Sequence, residues 1–243
     1  MKITFAGTSH GVPSADRYCS CYIIESGDKV YMVDAGAPAA EMIMRYGREV
    51  NDFRAMFITH AHGDHTNGML SLASLMTWFY KQSGGDFFLT EQEQIDATKI
   101  WFKSTGIHDF APERIRYHVA KEGKVFEDEN IKVEYIPTKH TDNSYSILIT
   151  EGDKRVLFGG DFSYMLRKND VPEVIKEDID LFLCEMAHFT PKEMAPYFEE
   201  CRAKKVAITH VGLICSFEEI DKALTGKYSF ETYIVNDGDV LEI

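Results

Sequence analysis

Residues 59–65 read Thr-His-Ala-His-Gly-Asp-His, so three of the chain's nine histidines and one aspartate fall within six positions. A random chain of this composition would show such a cluster on the order of once in a thousand. Neutral imidazole is the commonest metal-binding side chain, and a carboxylate adds charge neutralisation. The chemistry indicated is metal coordination, and a solvated polar loop is the bland alternative. In an extended segment His60 and His62 project to one side and can grip a single ion. Gly63 is expected to permit the sharp turn that redirects Asp64 and His65 toward a second.

Four side chains do not complete a two-ion site, so further donors are expected at other strand ends. His140 follows an apolar run and the turn residues Pro137-Thr138. Asp161 follows Val156–Phe158 and two glycines, Gly159 and Gly160, which let backbone approach closely. His210 closes Val206-Ala207-Ile208-Thr209. Each alone reads as an ordinary hydrogen-bonded strand-end residue. Together with the 60–65 cluster they supply the missing donors.

The elements that must hold these residues alternate between strand and helix patterns. Lys2–Phe5, Cys21–Glu25 and Lys29–Val33 read as strands, the last two joined by a hairpin at Ser26-Gly27-Asp28. Pro38–Tyr46 reads as a helix, Ala55–Ile58 as a buried strand running into His60, and Met69–Tyr80 as an apolar helix whose methionines pack in the core. Leu89–Lys103 is expected to be helical, capped by Thr90. Lys132–Ile136, Ser146–Ile149, Arg155–Phe158, Leu181–Cys184 and Val206–Ile208 read as strands; Pro191–Arg202 and Phe217–Leu224 read as helices. Strands alternating with helices indicate α/β layering. Ile58-Thr59-His60 echoes Ile208-Thr209-His210, and Val33-Asp34 echoes Gly160-Asp161, which hints at two related halves. No linker composition marks a boundary, so residues 1–243 are expected to form a single domain.

Net charge is -13, from 39 acidic against 26 basic residues. An acidic surface repels polyanions, which makes long nucleic acids and anionic membranes unfavourable partners and leaves a small-molecule substrate as the expected one. Nothing in the composition opposes a homo-oligomer. The first residues, MKITFAGTSHG, lack an apolar run of signal length, and no stretch approaches the length of a membrane span. Five scattered cysteines suit reduced thiols, so a cytoplasmic location is expected. Cys19 and Cys21 have no second pair nearby to make a structural zinc knuckle.

Thr59–His65 resembles the signature motif of the metallo-β-lactamase superfamily. His140, Asp161 and His210 fall in the order and approximate spacing of its later metal motifs, and Asp34 resembles its supporting upstream aspartate, so the resemblance runs from residue 3 to 210. It implies a four-layer αββα sandwich of the α/β class, with metals at one edge between the sheets. His60, His62 and His140 would bind a first metal, Asp64, His65 and His210 a second, and Asp161 would bridge them. The oxygen-reducing diiron branch usually carries an acidic residue at position 62. His62 therefore favours zinc and hydrolysis, with manganese or iron as alternatives. Phe5–Pro13 resembles the loop that opens the tRNase Z and cyclic-phosphodiesterase branch. Asp180–Glu185 resembles that branch's His-Glu-Ala-Thr strand, but Cys184 replaces the histidine and only Glu185 matches. Neither a tRNA-gripping arm nor a cysteine-rich zinc insert is visible.

The expected activity is dinuclear-metal hydrolysis, with a metal-activated hydroxide attacking a small phosphodiester. Asp64 would orient the hydroxide, and His188 or Glu185 would protonate the leaving oxygen. His10 is a candidate for substrate contact, while His108 and His118 read as surface histidines. The alternatives are hydrolysis of a thioester, lactone or β-lactam, redox chemistry at iron, and a metal-dependent sensor or binding module without catalysis.

Overall fold

The structure is a computed structural model and describes every residue except Asp109. Two seven-stranded sheets pack face to face. The first contains β1 (Lys2–Gly7), β2 (Cys21–Ser26), β3 (Lys29–Ala35), β4 (Phe53–Phe57), β5 (Gly85–Leu89), β6 (Ile115–Val119) and β14 (Val240–Glu242), in the order β14-β1-β2-β3-β4-β5-β6. The second contains β7 (Gly123–Glu127), β8 (Lys132–Pro137), β9 (Tyr145–Glu151), β10 (Lys154–Phe158), β11 (Ile179–Met186), β12 (Ala203–Val211) and β13 (Glu231–Ile234), ordered β13-β12-β11-β10-β9-β8-β7. Among the described residues, the first sheet carries α1 (Ala39–Arg45), α2 (Gly63–Thr66), α3 (Met69–Trp78) and α4 (Gln92–Ser104). The second carries α5 (Pro191–Glu200) and α6 (Phe217–Leu224).

Period-two alternation along uniformly apolar strands builds the layers. Tyr31 and Val33 of β3 face the space between the sheets, where they join Phe57, Tyr135, Val156, Phe158 and Leu181. Val30 and Met32 of the same strand pack outward under the helices with Met42, Leu72 and Met76. On the far sheet, Leu157 and Phe182 point outward to Met194, Phe198 and Ile220. Three apolar layers between four structural ones make an αββα sandwich, the fold expected from the sequence. No helix among the described residues is long and apolar enough to cross a membrane.

Each sheet is an antiparallel stack followed by parallel strands: β14-β1-β2-β3 then β4-β5-β6, and β7-β8-β9-β10 then β11-β12-β13. Under this correspondence β3 matches β10, which makes Asp34 and Asp161 equivalent. The Thr-His echo is different. His60 follows β4, whose counterpart is β11, whereas His210 lies in β12. That echo joins non-equivalent strands.

Most expected elements are present, with the hairpin turning through Gly27-Asp28 and Gly27 at φ 60°. The segment at Leu89 differs. Leu89 ends β5, which pairs in parallel with β4 and β6, and α4 starts only at Gln92 after Glu91. Thr90 does not cap it; its N–H and hydroxyl donate to Gln94 Oε1. β5 was not anticipated, although it is buried throughout. Nor were β6, β7, β13 and β14, which are short and have most of their residues only partly buried.

One charged cluster fastens the parallel strands. Asp86 on β5 accepts from Arg54 at 2.5 Å, from Arg116 at 2.6 and 2.8 Å, and is 2.7 Å from His118 Nε2. Burial works against its ionisation, but these partners hold its carboxyl well below the usual carboxylate range. A depressed folded pKa gives stability that is present above the unfolded value of about 4 and lost as pH falls below it. Asp86→Asn should lower neutral-pH stability by about 2 kcal/mol. It should also flatten the loss on acidification, read as denaturation midpoints between pH 7 and pH 3.

Candidate metal centre

The sequence-predicted residues meet at one edge of the seam between the sheets, at the C-terminal ends of co-directed strands. Asp34 ends β3 at φ 56°, and His210 lies near the end of β12 at φ 48°. His60 follows β4, Asp64 and His65 lie in α2, His140 follows β8, and Asp161 follows β10. The junction is closed by backbone. Tyr145 N–H donates to the Thr59 carbonyl at 2.9 Å and so ties the two sheets together beside the site. Gly160 sits at φ 64°, where a Cβ would fall 2.6 Å from the Tyr145 carbonyl. At Gly36 a Cβ would lie 1.9 Å from the Asp64 carbonyl, so only glycine lets α2 lie this close to β3.

The redirecting device in the 60–65 segment is not the one expected. Gly63 opens α2 with no positive φ; His62, at φ -61° and ψ 148°, is extended and acts as N-cap. One helical turn, not a glycine turn, swings Asp64 and His65 away from His60 and His62.

Ring orientation decides what these histidines can do. His65 Nδ1 lies 2.7 Å from Asp34 Oδ2, His210 Nδ1 2.8 Å from Ser20 Oγ and His60 Nδ1 3.1 Å from Thr59 Oγ1. His140 Nδ1 lies 3.2 Å from the Phe162 carbonyl, which can only accept, so that nitrogen carries the proton. In each of the four rings Nδ1 is anchored and Nε2 points inward. This is the arrangement in which metal-binding imidazoles are fixed in tautomer and direction. His60 Nε2 and His140 Nε2 approach His62 Nδ1 to 3.1 and 3.2 Å. His65 Nε2 lies 3.5 Å from Asp161 Oδ1 and 3.6 Å from Asp64 Oδ2, and His210 Nε2 lies 3.4 Å from Asp161 Oδ2. Asp161 is also 3.8 Å from both His60 and His140, so its carboxylate faces both groups of donors.

The electrostatics call for a cation. Asp34, Asp161 and Glu185 are buried, and among the described residues neither they nor Asp64 has an ion pair with Lys or Arg. Burial disfavours a charged His65, yet Asp161 and Asp34 on either side raise its pKa well above the usual imidazole value. Burial also opposes ionisation of Asp161, but His210 and His65 keep its carboxyl far below the ordinary range. Burial and the neighbouring imidazoles push His60 down. His65 Nε2 and Asp161 Oδ1 are buried with no hydrogen-bond partner. Imidazoles aimed inward, carboxylates without Lys or Arg partners and two buried atoms that make no hydrogen bond fit divalent metal ions. The donor triads His60/His62/His140 and Asp64/His65/His210 each lie within 4.8 Å.

Glu185 is buried and busy. It accepts from the backbone N–H of Phe162 at 2.8 Å, Ala187 at 2.9 Å and His188 at 3.1 Å, and lies 2.9 Å from His188 Nδ1. Burial opposes a charged His188, but Glu185 raises its pKa to about 9. His10 lines the opening, its ring centroid 6.4 Å from that of His210. His118 belongs to the Asp86 cluster, and His108 is exposed on a separate face. Ser20 and the Phe162 carbonyl were missed from the sequence. Ser20 lies 190 residues from His210, and a single serine carries no signal at that range.

A family model described as Anti-Pycsar protein Apyc1 matches residues 1–226. The chain belongs to the Apyc1 family. Its fold is the metallo-β-lactamase fold, shared with solved structures at low sequence identity. The chain is 30% identical over 165 residues to the Ribonuclease Z of Nitrosopumilus maritimus, covering 63% of this chain and 50% of that one. It spans about half the length of the curated relatives it matches. Among solved structures, Bacillus subtilis YhfI, a metallo-β-lactamase fold protein, superposes with a TM-score of 0.77 at 19% identity, covering 99% of this chain and 98% of the other. The short form of human tRNase Z gives 0.75 at 20% identity, with coverage of 100% and 99%. The Apyc1 family match takes in every donor position from His60 to His210.

In this member of the Apyc1 family, Gly36→Ala should force α2 away from β3, because the new methyl cannot coexist with the Asp64 carbonyl. The melting temperature should fall by roughly 5 °C, the scale of an overpacked site in a domain of this size. An unchanged melting curve would show that α2 can shift without cost.

Proposed function

We propose that this chain is a metal-dependent hydrolase of small phosphodiesters whose residues 1–243 act as one unit around two divalent ions, zinc being favoured. The observation carrying the reading is the pair of buried atoms His65 Nε2 and Asp161 Oδ1, which make no hydrogen bond and face each other at 3.5 Å among inward-facing imidazoles. His60, His62 and His140 would hold one ion, Asp64, His65 and His210 the other, and Asp161 would face both. When bound, the ions supply Lewis acidity, which makes water nucleophilic near neutral pH and draws charge from phosphoryl oxygens. Asp34, Ser20 and the Phe162 carbonyl fix the rings, so that little reorganisation is needed when substrate arrives.

Asp64 is the less buried carboxylate and lies against Gly11 at the opening, where it orients the attacking water and accepts its proton at Oδ1, the oxygen turned away from His65 and His210. His188 faces the same opening. Glu185 engages its Nδ1, which leaves Nε2 to give a proton to the departing oxygen. In this reading Glu185 is the residue that orients the acid. Its carboxylate also holds the Phe162 N–H, one residue from Asp161, and so couples the acid to the donor cluster.

The names of the Ribonuclease Z relatives favour RNA as an alternative substrate. The net charge of -13 weighs against a long polyanion, and the small diester is the better match to this surface. A precursor tRNA and bis(p-nitrophenyl) phosphate, assayed side by side, separate the two.

Inductively coupled plasma mass spectrometry should find close to two transition-metal ions per chain, and stripping them with a chelator should abolish diester turnover. His62→Ala should lower kcat/KM by at least about 100-fold. Full activity in metal-free protein would end the proposal. Asp34→Ala should weaken metal binding by about 10–100-fold in chelator competition while leaving all proposed donors in place.

A further inference from the structure

Two hollows open beside the donor cluster, and His188 lines both. One, of about 390 Å³, is walled by His10, Asp64 and His210 together with the apolar Leu213 and Ile214. The other, of about 320 Å³, lies between Lys139–His140 and the segment Ser163–Lys168. The two differ sharply in charge. Lys139, Arg167 and Lys168 line the second, and none has a carboxylate within ion-pair distance among the described residues.

We propose that the second hollow is a phosphate subsite, which makes the preferred substrate a phosphodiester carrying a second phosphate. The inference rests on the diesterase reading above and names the substrate class for that same site.

The three cations are organised. Lys139 Nζ donates to the Lys168 carbonyl at 2.9 Å, and Lys168 Nζ donates to the Lys139 carbonyl at 2.8 Å. This crossed pair pins both stems across the hollow and leaves two N–H donors on each ammonium for a ligand. The Arg167 guanidinium lies over the Tyr164 ring, 5.8 Å from its centroid, and adds a planar set of donors suited to phosphate oxygens. Of the buried carboxylates nearby, Glu185 and Asp161 face the histidines, and Asp170 lies beneath the three cations. Asp170 accepts from Ser163 N–H at 2.8 Å, Ser163 Oγ at 2.6 Å and Lys139 N–H at 3.0 Å, and so binds the segment together beneath the cations.

Backbone conformation agrees with a held binding loop. Met165, Leu166 and Asn169 take φ values of 54°, 52° and 48°, positions that non-glycine residues rarely occupy unless surrounding contacts impose them. Met165 N–H donates to the His188 carbonyl at 2.8 Å, which joins this loop to the residue proposed to protonate the leaving group. On a body of net charge -13, a concave set of cations focuses the field at the one place where an anion must arrive.

The test compares two chromogenic esters that differ by one phosphate: the p-nitrophenyl esters of thymidine 5′-phosphate and of thymidine 3′,5′-bisphosphate. The metal-loaded protein should prefer the bisphosphate ester roughly tenfold in kcat/KM, the scale of one charge-assisted contact. In the double variant Arg167→Gln, Lys168→Gln the ratio should fall to near one, and Lys139→Gln should lower it as well. The ratio is read within each protein, so a general loss of activity does not imitate the effect. A wild-type ratio near one, or a ratio unchanged in the variants, overturns the subsite. Calorimetric titration with thymidine 3′,5′-bisphosphate against thymidine 5′-phosphate keeps the two proposals separate. Should neither ester be hydrolysed, tighter binding of the bisphosphate that the double variant loses would support the subsite while the diesterase reading fell; equal binding would overturn it.

Discussion

Asp34, Asp161 and Glu185 lose almost all contact with water, and among the described residues their neighbours are imidazoles, hydroxyls and backbone N–H groups, with no lysine or arginine. Burying a carboxylate is costly unless charge and hydrogen bonds compensate it. Here the hydrogen bonds are supplied in full only for Asp34 and Glu185; Asp161 keeps an orphaned oxygen. The edge of the sandwich is therefore built around a deficit of positive charge. Each ring around it is anchored by its outer nitrogen so that the inner one faces that deficit. The raised pKa of His65 expresses the same demand, since two carboxylates draw a positive charge onto the ring between them.

The double-sheet frame makes this tolerable. A layer of Tyr31, Phe57, Tyr135, Phe158 and Leu181 fixes the two sheets against each other, so strand ends that are distant in sequence meet with little freedom. Backbone positions that are strained or crowded cluster where the layers meet the site: Asp34 and His210 at positive φ, Gly36 against Asp64, Gly160 against Tyr145. Strain of this kind persists where surrounding packing over-determines the conformation. The near-equivalence of Asp34 and Asp161 in the two sheets shows one strand-end position used twice. Asp34 anchors a ring, and Asp161 faces the donor groups directly.

Surface charge follows the same logic at longer range. The body is acidic, yet the hollow beside His140 and His188 is lined by cations that no carboxylate neutralises among the described residues. The neighbouring hollow has an apolar wall at Leu213 and Ile214. A ligand spanning both meets opposite chemistry on its two sides, a polarity that net charge alone does not reveal.

Local pattern was enough for much of the framework. Alternating and continuous apolar runs marked β2, β3, β10 and β11, because each is buried on both faces and its own residues carry the signal. The spacing from His60 to His65, with His140, Asp161 and His210 at strand ends, marked the residues that meet at one edge of the sandwich for a similar reason: chemistry needs those side-chain types wherever they lie. β6, β7, β13 and β14 were not legible, since a half-exposed strand exists only because a neighbour pairs with it, and β5, though buried throughout, was masked because Leu89 runs on into the helical pattern of α4. The same holds for the turn at Gly63, for Ser20 behind His210, for Glu185 turned inward toward His188, and for Lys139 facing Arg167 and Lys168. The sequence by itself determined which residues could act and the layered fold that would carry them. Tertiary structure alone decided which nitrogen each ring presents and which charges share a hollow, because those depend on contacts between segments separated by tens to hundreds of residues.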